Sequence, residues 1–222
     1  MSARHIARFL GVAVVTTCAL LSAFVPSASA QPCPDAEVVF ARGTNEPPGV
    51  GDTGQAFVDS LRAQVHAKSV GVYAVNYPAS TDFPTGVDGV NDASAHIRDM
   101  AANCPKTRMV LGGFSQGAAV TGFVTAAVVP DEVSASDVPG PMPPNVADHV
   151  AAVALFGKPS NRFMRAIGEP LIAIGPLYAA KTIDLCIPND PICSDNGDMF
   201  AHGQYEADGM VDQAAAFAAS RI

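Results

Sequence analysis

The chain has 222 residues, enough for one domain with a full core of its own. Twenty-one acidic residues against 13 basic ones give a formal charge of −8 at pH 7, which argues against nucleic acid and anionic membrane surfaces as electrostatic partners. An ester or lipid held by apolar contact stays compatible with that charge.

The first 30 residues read as a secretory signal. Arg4, His5 and Arg8 give a basic start, an apolar run follows from Phe9 to about Val25, and Ser27-Ala28-Ser29-Ala30 supplies small residues for cleavage. The run is too short for a stable membrane span, and no later stretch qualifies. The mature chain is expected over 31–222 as a single domain. It is more acidic than the whole, because Arg4 and Arg8 leave with the signal while every acidic residue stays. Cys18 leaves too. The remaining Cys33, Cys104, Cys186 and Cys193 are an even set in an exported chain, which reads as two disulfides. Three connectivities are possible. We favour Cys33–Cys104 and Cys186–Cys193, the second closing a tight ring around Asp190. The cysteines lack paired C-x-x-C spacing and neighbouring histidines, so no metal site is expected.

Strand-like and helix-like segments then alternate. Residues 37–41 form a β-rich run. Residues 55–67 have helical spacing, with Phe57, Leu61 and Val65 on one face. Residues 70–77 are β-branched and aromatic, and Pro78 ends them. Residues 92–102 are again helical, through Ala93, Ile97, Met100 and Ala101. A third strand, 107–111, runs into Gly112-Gly113-Phe114-Ser115, and an apolar helix follows over 116–128. The stretch 130–144 holds five prolines and several acids, so it reads as a surface excursion without a core element. A fourth strand spans 149–156 and is almost wholly apolar, as a strand covered on both faces must be. Residues 161–181 are apolar and irregular. A short fifth strand covers 182–186, and a closing helix 205–221. This alternation predicts an α/β fold of three layers: a central five-stranded parallel sheet with helices on both faces.

Gly113-Phe114-Ser115-Gln116-Gly117 lies where a strand meets a helix. That is the setting of a nucleophile elbow, in which a tight turn lifts a serine hydroxyl to the sheet edge. Serine needs a base, and the base needs an orienting group. Of the four mature histidines, His66 and His96 fall in helices and His149 opens a strand at the opposite sheet edge. His202 sits in a loop before the last helix, where strand C-termini gather. Asp190 follows the fifth strand inside the Cys186–Cys193 ring and is the chosen acid; Asp184, Asp195 and Asp198 compete. The order Ser115, Asp190, His202 is that of the α/β hydrolases. The backbone N–H of Gln116, with Thr44 from the turn Ala41-Arg42-Gly43-Thr44, would supply an oxyanion hole.

Three segments together resemble the cutinase family, specifically its secreted actinobacterial esterases: Val39-Phe40-Ala41-Arg42-Gly43-Thr44, Gly112-Gly113-Phe114-Ser115-Gln116-Gly117-Ala118, and Cys186-Ile187-Pro188-Asn189-Asp190-Pro191-Ile192-Cys193 followed by His202. The resemblance spans nearly the whole mature chain. It implies an α/β hydrolase without a large lid, the disulfide pairing favoured above, no cofactor, and hydrolysis of carboxylic esters, including polyesters, short and medium acyl esters and sometimes lipids. We expect a monomer. The chain departs from fungal cutinases in the length of its 130–144 excursion, so their substrate shape does not carry over. Expected apolar walls are Phe163, Met164, Ile167, Leu171 and Ile172 on one side, with Ile192, Met199 and Phe200 near the histidine. Two rivals stay in view: a phospholipase or acyltransferase on the same fold, and a secreted binding or antigenic protein that has lost activity.

Overall fold

Apolar side chains alternate along the first strand, β1 (Ala36–Ala41), and every one of its residues is buried. Val38 and Phe40 enter one core, Val39 and Ala41 the other. A strand covered on both faces needs helices above and below it. The computed structural model describes residues 32–222 and supplies them; the signal expected over 1–30 lies outside the described residues. Residues Cys33–Ile222 form one unit.

Helix α1 (Gly51–Val65) follows, then β2 (Val70–Ala74), α2 (Gly86–Asn103), β3 (Arg108–Phe114) and α3 (Gln116–Val124). After a long excursion come the single turn α4 (Pro144–Ala147), β4 (Val150–Phe156), α5 (Asn161–Ile167), α6 (Pro176–Ala179) and β5 (Thr182–Leu185). The chain closes with α7 (Met199–His202) and α8 (Met210–Ala219). The five strands are all parallel, in the order β2-β1-β3-β4-β5. Helices α1 and α8 cover one face, over a core where Phe40, Phe57 and Phe156 meet at ring separations of 5.7–6.2 Å. Helices α2 and α3 cover the other face, with Ile97, Leu111 and Val120 in its core.

The order places a topological switch point between β1 and β3, since the chain leaves β1 to one side for β2 and resumes on the other with β3. In open α/β sheets ligands bind at that crevice, beyond the strand C-termini. The loops after β1, β3, β4 and β5 all open there.

Several element ends differ from the sequence expectation. Helix α1 starts at Gly51 instead of 55, its first turn being polar and glycine-rich, and α2 at Gly86 instead of 92, where Val87 and Val90 stand among glycines and aspartates. Helix α3 stops at Val124 rather than 128. Residues 161–181, expected to be irregular, include α5 and α6; Ser160 caps α5 by accepting from the Phe163 N–H at 3.2 Å. The closing helix proper begins at Met210, after turns at 205–209. Cys33–Cys104 joins the start of β1 to the end of α2, and Cys186–Cys193 closes a seven-residue separation after β5.

Candidate active site

Strand β3 delivers Ser115 to the switch point and α3 starts on the next residue. Ser115 has φ 56°, a left-handed conformation that costs energy for any residue with a side chain. The turn is tight enough that a Cβ on Gly113 would collide with the carbonyl of Gly117, and one on Gly117 with the carbonyl of Ala41. Only glycine fits at either place. The Ser115 N–H donates to the Phe156 carbonyl at 2.8 Å, fastening the elbow to β4.

Asp190 and His202 are twelve residues apart in sequence and meet through Oδ2 and Nδ1 at 2.7 Å. Asp190 is fully buried and His202 is 7% exposed. The Tyr205 hydroxyl donates to the same Oδ2 at 2.6 Å, and the Ile192 N–H donates to Oδ1 at 2.9 Å. Burial pushes the Asp190 carboxyl up, but the hydrogen bonds from His202, Tyr205 and Ile192 outweigh it and hold it below its ordinary value. Burial, then the hydrogen bond to Asp190 and that carboxylate's charge, push the Tyr205 phenol far above its ordinary range, so it stays a donor. The His202 ring stacks on Phe114 with centroids 4.8 Å apart. Ser115 and His202 line one cavity, and among the described residues no hydrogen bond joins their side chains. Such contacts often tighten only when substrate binds.

Gly157, just after β4, completes this corner at φ 59°. A Cβ there would lie 2.9 Å from the Tyr205 oxygen, 3.0 Å from His202 Cε1 and 3.1 Å from Asp190 Oδ2.

The loop after β1 brings Thr44 beside Gln116: the Thr44 hydroxyl donates to Gln116 Oε1 at 3.1 Å, and Gln116 Nε2 donates to the Ser80 carbonyl at 3.1 Å. The backbone N–H groups of Thr44 and Gln116 have no partner among the described residues. Two free donors on the cavity next to a strained serine suit an oxyanion. Arg42 fixes this loop. Its buried guanidinium donates to the carbonyls of Glu46 at 2.9 Å, Tyr77 at 2.7 Å and Pro78 at 3.3 Å, and Tyr77 OH donates back to the Arg42 carbonyl.

The other candidates of the sequence lie elsewhere. Asp184 is 3.2 Å from Lys158 and Asp195 is 3.8 Å from Arg162. Asp198 caps α7 by accepting from the Phe200 N–H at 2.8 Å, so it orients the helix that carries His202. His202 therefore ends a short helix, where a loop was expected. His96 pairs with Glu37 at 2.8 Å, far from the elbow. Among the described residues no group of three metal-binding side chains occurs, and no helix is long and apolar enough to cross a membrane.

The cavity measures about 840 Å³. Phe163, Met164, Ile167, Ile192 and Met199 line it as expected. Leu171, Ile172 and Phe200 do not: Ile172 packs under Ala119 and Met164, while Leu171 and Phe200 are 40% and 76% exposed. The proline-rich excursion is a surface segment without regular elements, as expected, and it also walls the cavity with its valines and prolines and sends Met142 into the core. Sequence reading also missed Tyr205, Gly157 and Arg42. Tyr205 falls three residues after His202, but only the folded chain shows what it touches. The four valines within 128–138 have no regular spacing, so nothing in the sequence pointed them at the cavity.

The family described as Cutinase matches residues 32–222. Among curated relatives, Probable carboxylesterase Culp5 of Mycobacterium tuberculosis is 61% identical over 75% of this chain and 95% of that protein. Carboxylesterase Culp1 of the same species is 52% identical over 100% of this chain and 98% of that protein, and Phospholipase Culp4 is 52% identical over 100% and 93%. A solved structure of Trichoderma reesei cutinase in complex with a C11Y4 phosphonate inhibitor aligns at TM-score 0.65 and 35% identity, covering 85% of this chain and 77% of that one.

Proposed function

The chain belongs to the cutinase family and is a serine ester hydrolase; from that premise we propose that Ser115, His202 and Asp190 carry the reaction, in a protein exported by its first 30 residues. The observation that carries this reading is the convergence on one cavity of a strained serine, a histidine held by a buried carboxylate, and two free backbone N–H groups. Ser115 Oγ attacks the ester carbonyl as His202 takes its proton. The negative oxygen rests on the N–H groups of Gln116 and Thr44. The tetrahedral intermediate collapses, and His202 passes the proton to the leaving alcohol. Water, deprotonated by His202, then attacks the acyl-serine and restores the free hydroxyl. Asp190 keeps the imidazole oriented and balances its charge.

Every group in that scheme comes from one chain, so a monomer with no cofactor suffices. Two disulfides and the basic-apolar N-terminus support secretion. The cavity lining contains no Lys or Arg but does contain Glu132, Asp137 and Glu169, which favours uncharged esters, polyesters among them, over anionic phospholipids. Intact donors on both sides of the serine weigh against a silent binding protein.

The test is hydrolysis of p-nitrophenyl butyrate by Ser115→Ala. The account expects kcat to fall by at least about 10⁴-fold with an unchanged circular dichroism spectrum. Retained activity would remove Ser115 from the scheme.

A further inference from the structure

Of three successive N–H groups in the loop after β1, the outer two are tied down and the middle one is free. The Gly43 N–H donates to Oε2 of the Glu46 carboxylate, and the Asn45 N–H donates to the Ala79 carbonyl at 2.6 Å. Thr44 lines the cavity, and its N–H has no partner among the described residues. The direction of that N–H is set by the peptide plane joining Thr44 to Gly43. The plane hinges on a glycine, which has the widest backbone freedom of any residue. Packing demands the glycine, because a Cβ at 43 would lie 2.7 Å from the Phe114 ring. Sterics of the backbone alone therefore leave the donor unaimed.

Glu46 removes that freedom from both ends of Gly43. Its carboxylate accepts from the Gly43 N–H, and its own N–H donates to the Gly43 carbonyl at 3.3 Å, which is the other end of the plane that carries the Thr44 N–H. The carboxylate is itself anchored, since Oε1 accepts from the Asp52 N–H at 2.9 Å in the first turn of α1. Val50, the N-cap residue of α1, supplies no side-chain cap, so Glu46 satisfies an orphan donor at the positive end of a 15-residue helix. Gly51 leaves the room for it: a Cβ there would lie 2.3 Å from Glu46 Oε2. The Glu46 carbonyl accepts from Arg42 Nε, which closes the turn at its backbone as well.

We propose that Glu46 is a positioning residue for the reaction: its carboxylate ties the oxyanion loop to α1 and so aims the Thr44 N–H at the oxygen that becomes negative. The proposal rests on the reading of Ser115 as nucleophile and of the Thr44 N–H as an oxyanion donor. Glu46 does not line the cavity and acts through Gly43. A helix cap and nothing more would give Glu46 a part in stability and none in rate. The carboxylate offers an acceptor to each of two N–H groups. An amide in its place keeps one acceptor and turns an NH₂ toward the other donor, so one of the two bonds must break.

The experiment compares the wild type with Glu46→Gln and Glu46→Ala, well below their melting temperatures. It reads kcat and KM for p-nitrophenyl butyrate, Ki for an alkyl trifluoromethyl ketone, and the melting temperature. The ketone probes the oxyanion site: Ser115 Oγ adds to its carbonyl carbon, His202 takes the hydroxyl proton, and the former carbonyl oxygen carries the negative charge. Losing one oxyanion donor costs about 10²–10³ in rate, and a group about 1 Å out of place can cost about 10²-fold. We expect kcat to fall about tenfold in Glu46→Gln and about 10²-fold in Glu46→Ala, with KM within about twofold of the wild type and Ki raised by the same factors as kcat falls. Glu46→Gln is nearly isosteric and carries the test if Glu46→Ala fails to fold. Unchanged kcat and Ki with a lower melting temperature would reduce Glu46 to a helix cap and overturn the proposal. A fall in kcat that leaves Ki in place overturns it too, because the oxyanion site would then be intact. Full activity of Ser115→Ala, with a wild type that the ketone does not inhibit, overturns the reading of the nucleophile and this proposal with it.

Discussion

Asp190 is fully buried, and its charge is sustained by three donors that converge on two oxygens: His202 Nδ1 and the Tyr205 hydroxyl at Oδ2, and the Ile192 N–H at Oδ1. Hydrogen bonds to charged groups contribute about 1.5–3 kcal/mol each, more than neutral ones. Removing one by Tyr205→Phe should lower stability by about 2 kcal/mol, or about 4–8 °C in a domain of this size. The sign with pH follows from the depressed carboxyl. Folding favours the ionised form, so its contribution is complete above the ordinary value of 3.8 and drains away as pH falls through the lower folded value. Tyr205→Phe weakens the depression, so the gap in melting temperature to the wild type should be constant near neutral pH and shrink below about 3.8. Melting curves from pH 7 to pH 2.5 check this. A gap that ignores pH would mean that Tyr205 acts only through packing. None of this was legible in the sequence. Ser115, Asp190 and His202 were, because glycine spacing, a cysteine frame and the scarcity of histidine mark them locally. Tyr205 and Gly157 are defined only by atoms brought in from β5 and β4.

The two disulfides separate stability from positioning at the scale of elements. Cys33–Cys104 spans 71 residues and ties β1 to α2, whereas Cys186–Cys193 spans seven and encircles Asp190. In the chain-entropy account a loop of about 70 residues is worth about 4 kcal/mol, and a ring below 15 residues less than about 3. The small ring is also tied to the residue that follows it, since the Asp190 carbonyl accepts from the Ser194 N–H at 2.8 Å and its hydroxyl at 2.7 Å. Replacing Cys33 and Cys104 by Ser should therefore lower the melting temperature more. Replacing Cys186 and Cys193 should lower kcat more, because a carboxylate about 1 Å out of place can cost about 10²-fold. Thermal melts and steady-state kinetics on both double variants decide it; equal effects on both quantities would contradict the division. Strands were the most legible elements, since short apolar runs such as Val150–Phe156, buried throughout, are bounded by turn residues. The starts of α1 and α2 were not, because glycines and aspartates fill much of their first turns. The excursion was legible as a surface segment without regular elements, but its place on the cavity was not. Its valines lack a period of two or of 3.6, so their common target, the cavity, is set by the fold alone.

For the molecule as a whole, strand order decides where chemistry can occur. The loops after β1, β3, β4 and β5 present Thr44, Ser115, Gly157 and Asp190 at one sheet edge, and α7 returns His202 to them. The acidic surface and the uncharged or acidic cavity lining agree with a neutral ester substrate, and the family match covers the same residues that build the site. The central claim is that Ser115 is the nucleophile. Its most direct measurement is peptide mapping by mass spectrometry after reaction with a p-nitrophenyl alkylphosphonate, which transfers its phosphonyl group to an activated serine with loss of p-nitrophenol. The account predicts one adduct per chain, on Ser115, absent in Ser115→Ala and formed at least about 10²-fold more slowly in His202→Ala. An adduct on another residue, or undiminished labelling of Ser115→Ala, would contradict it.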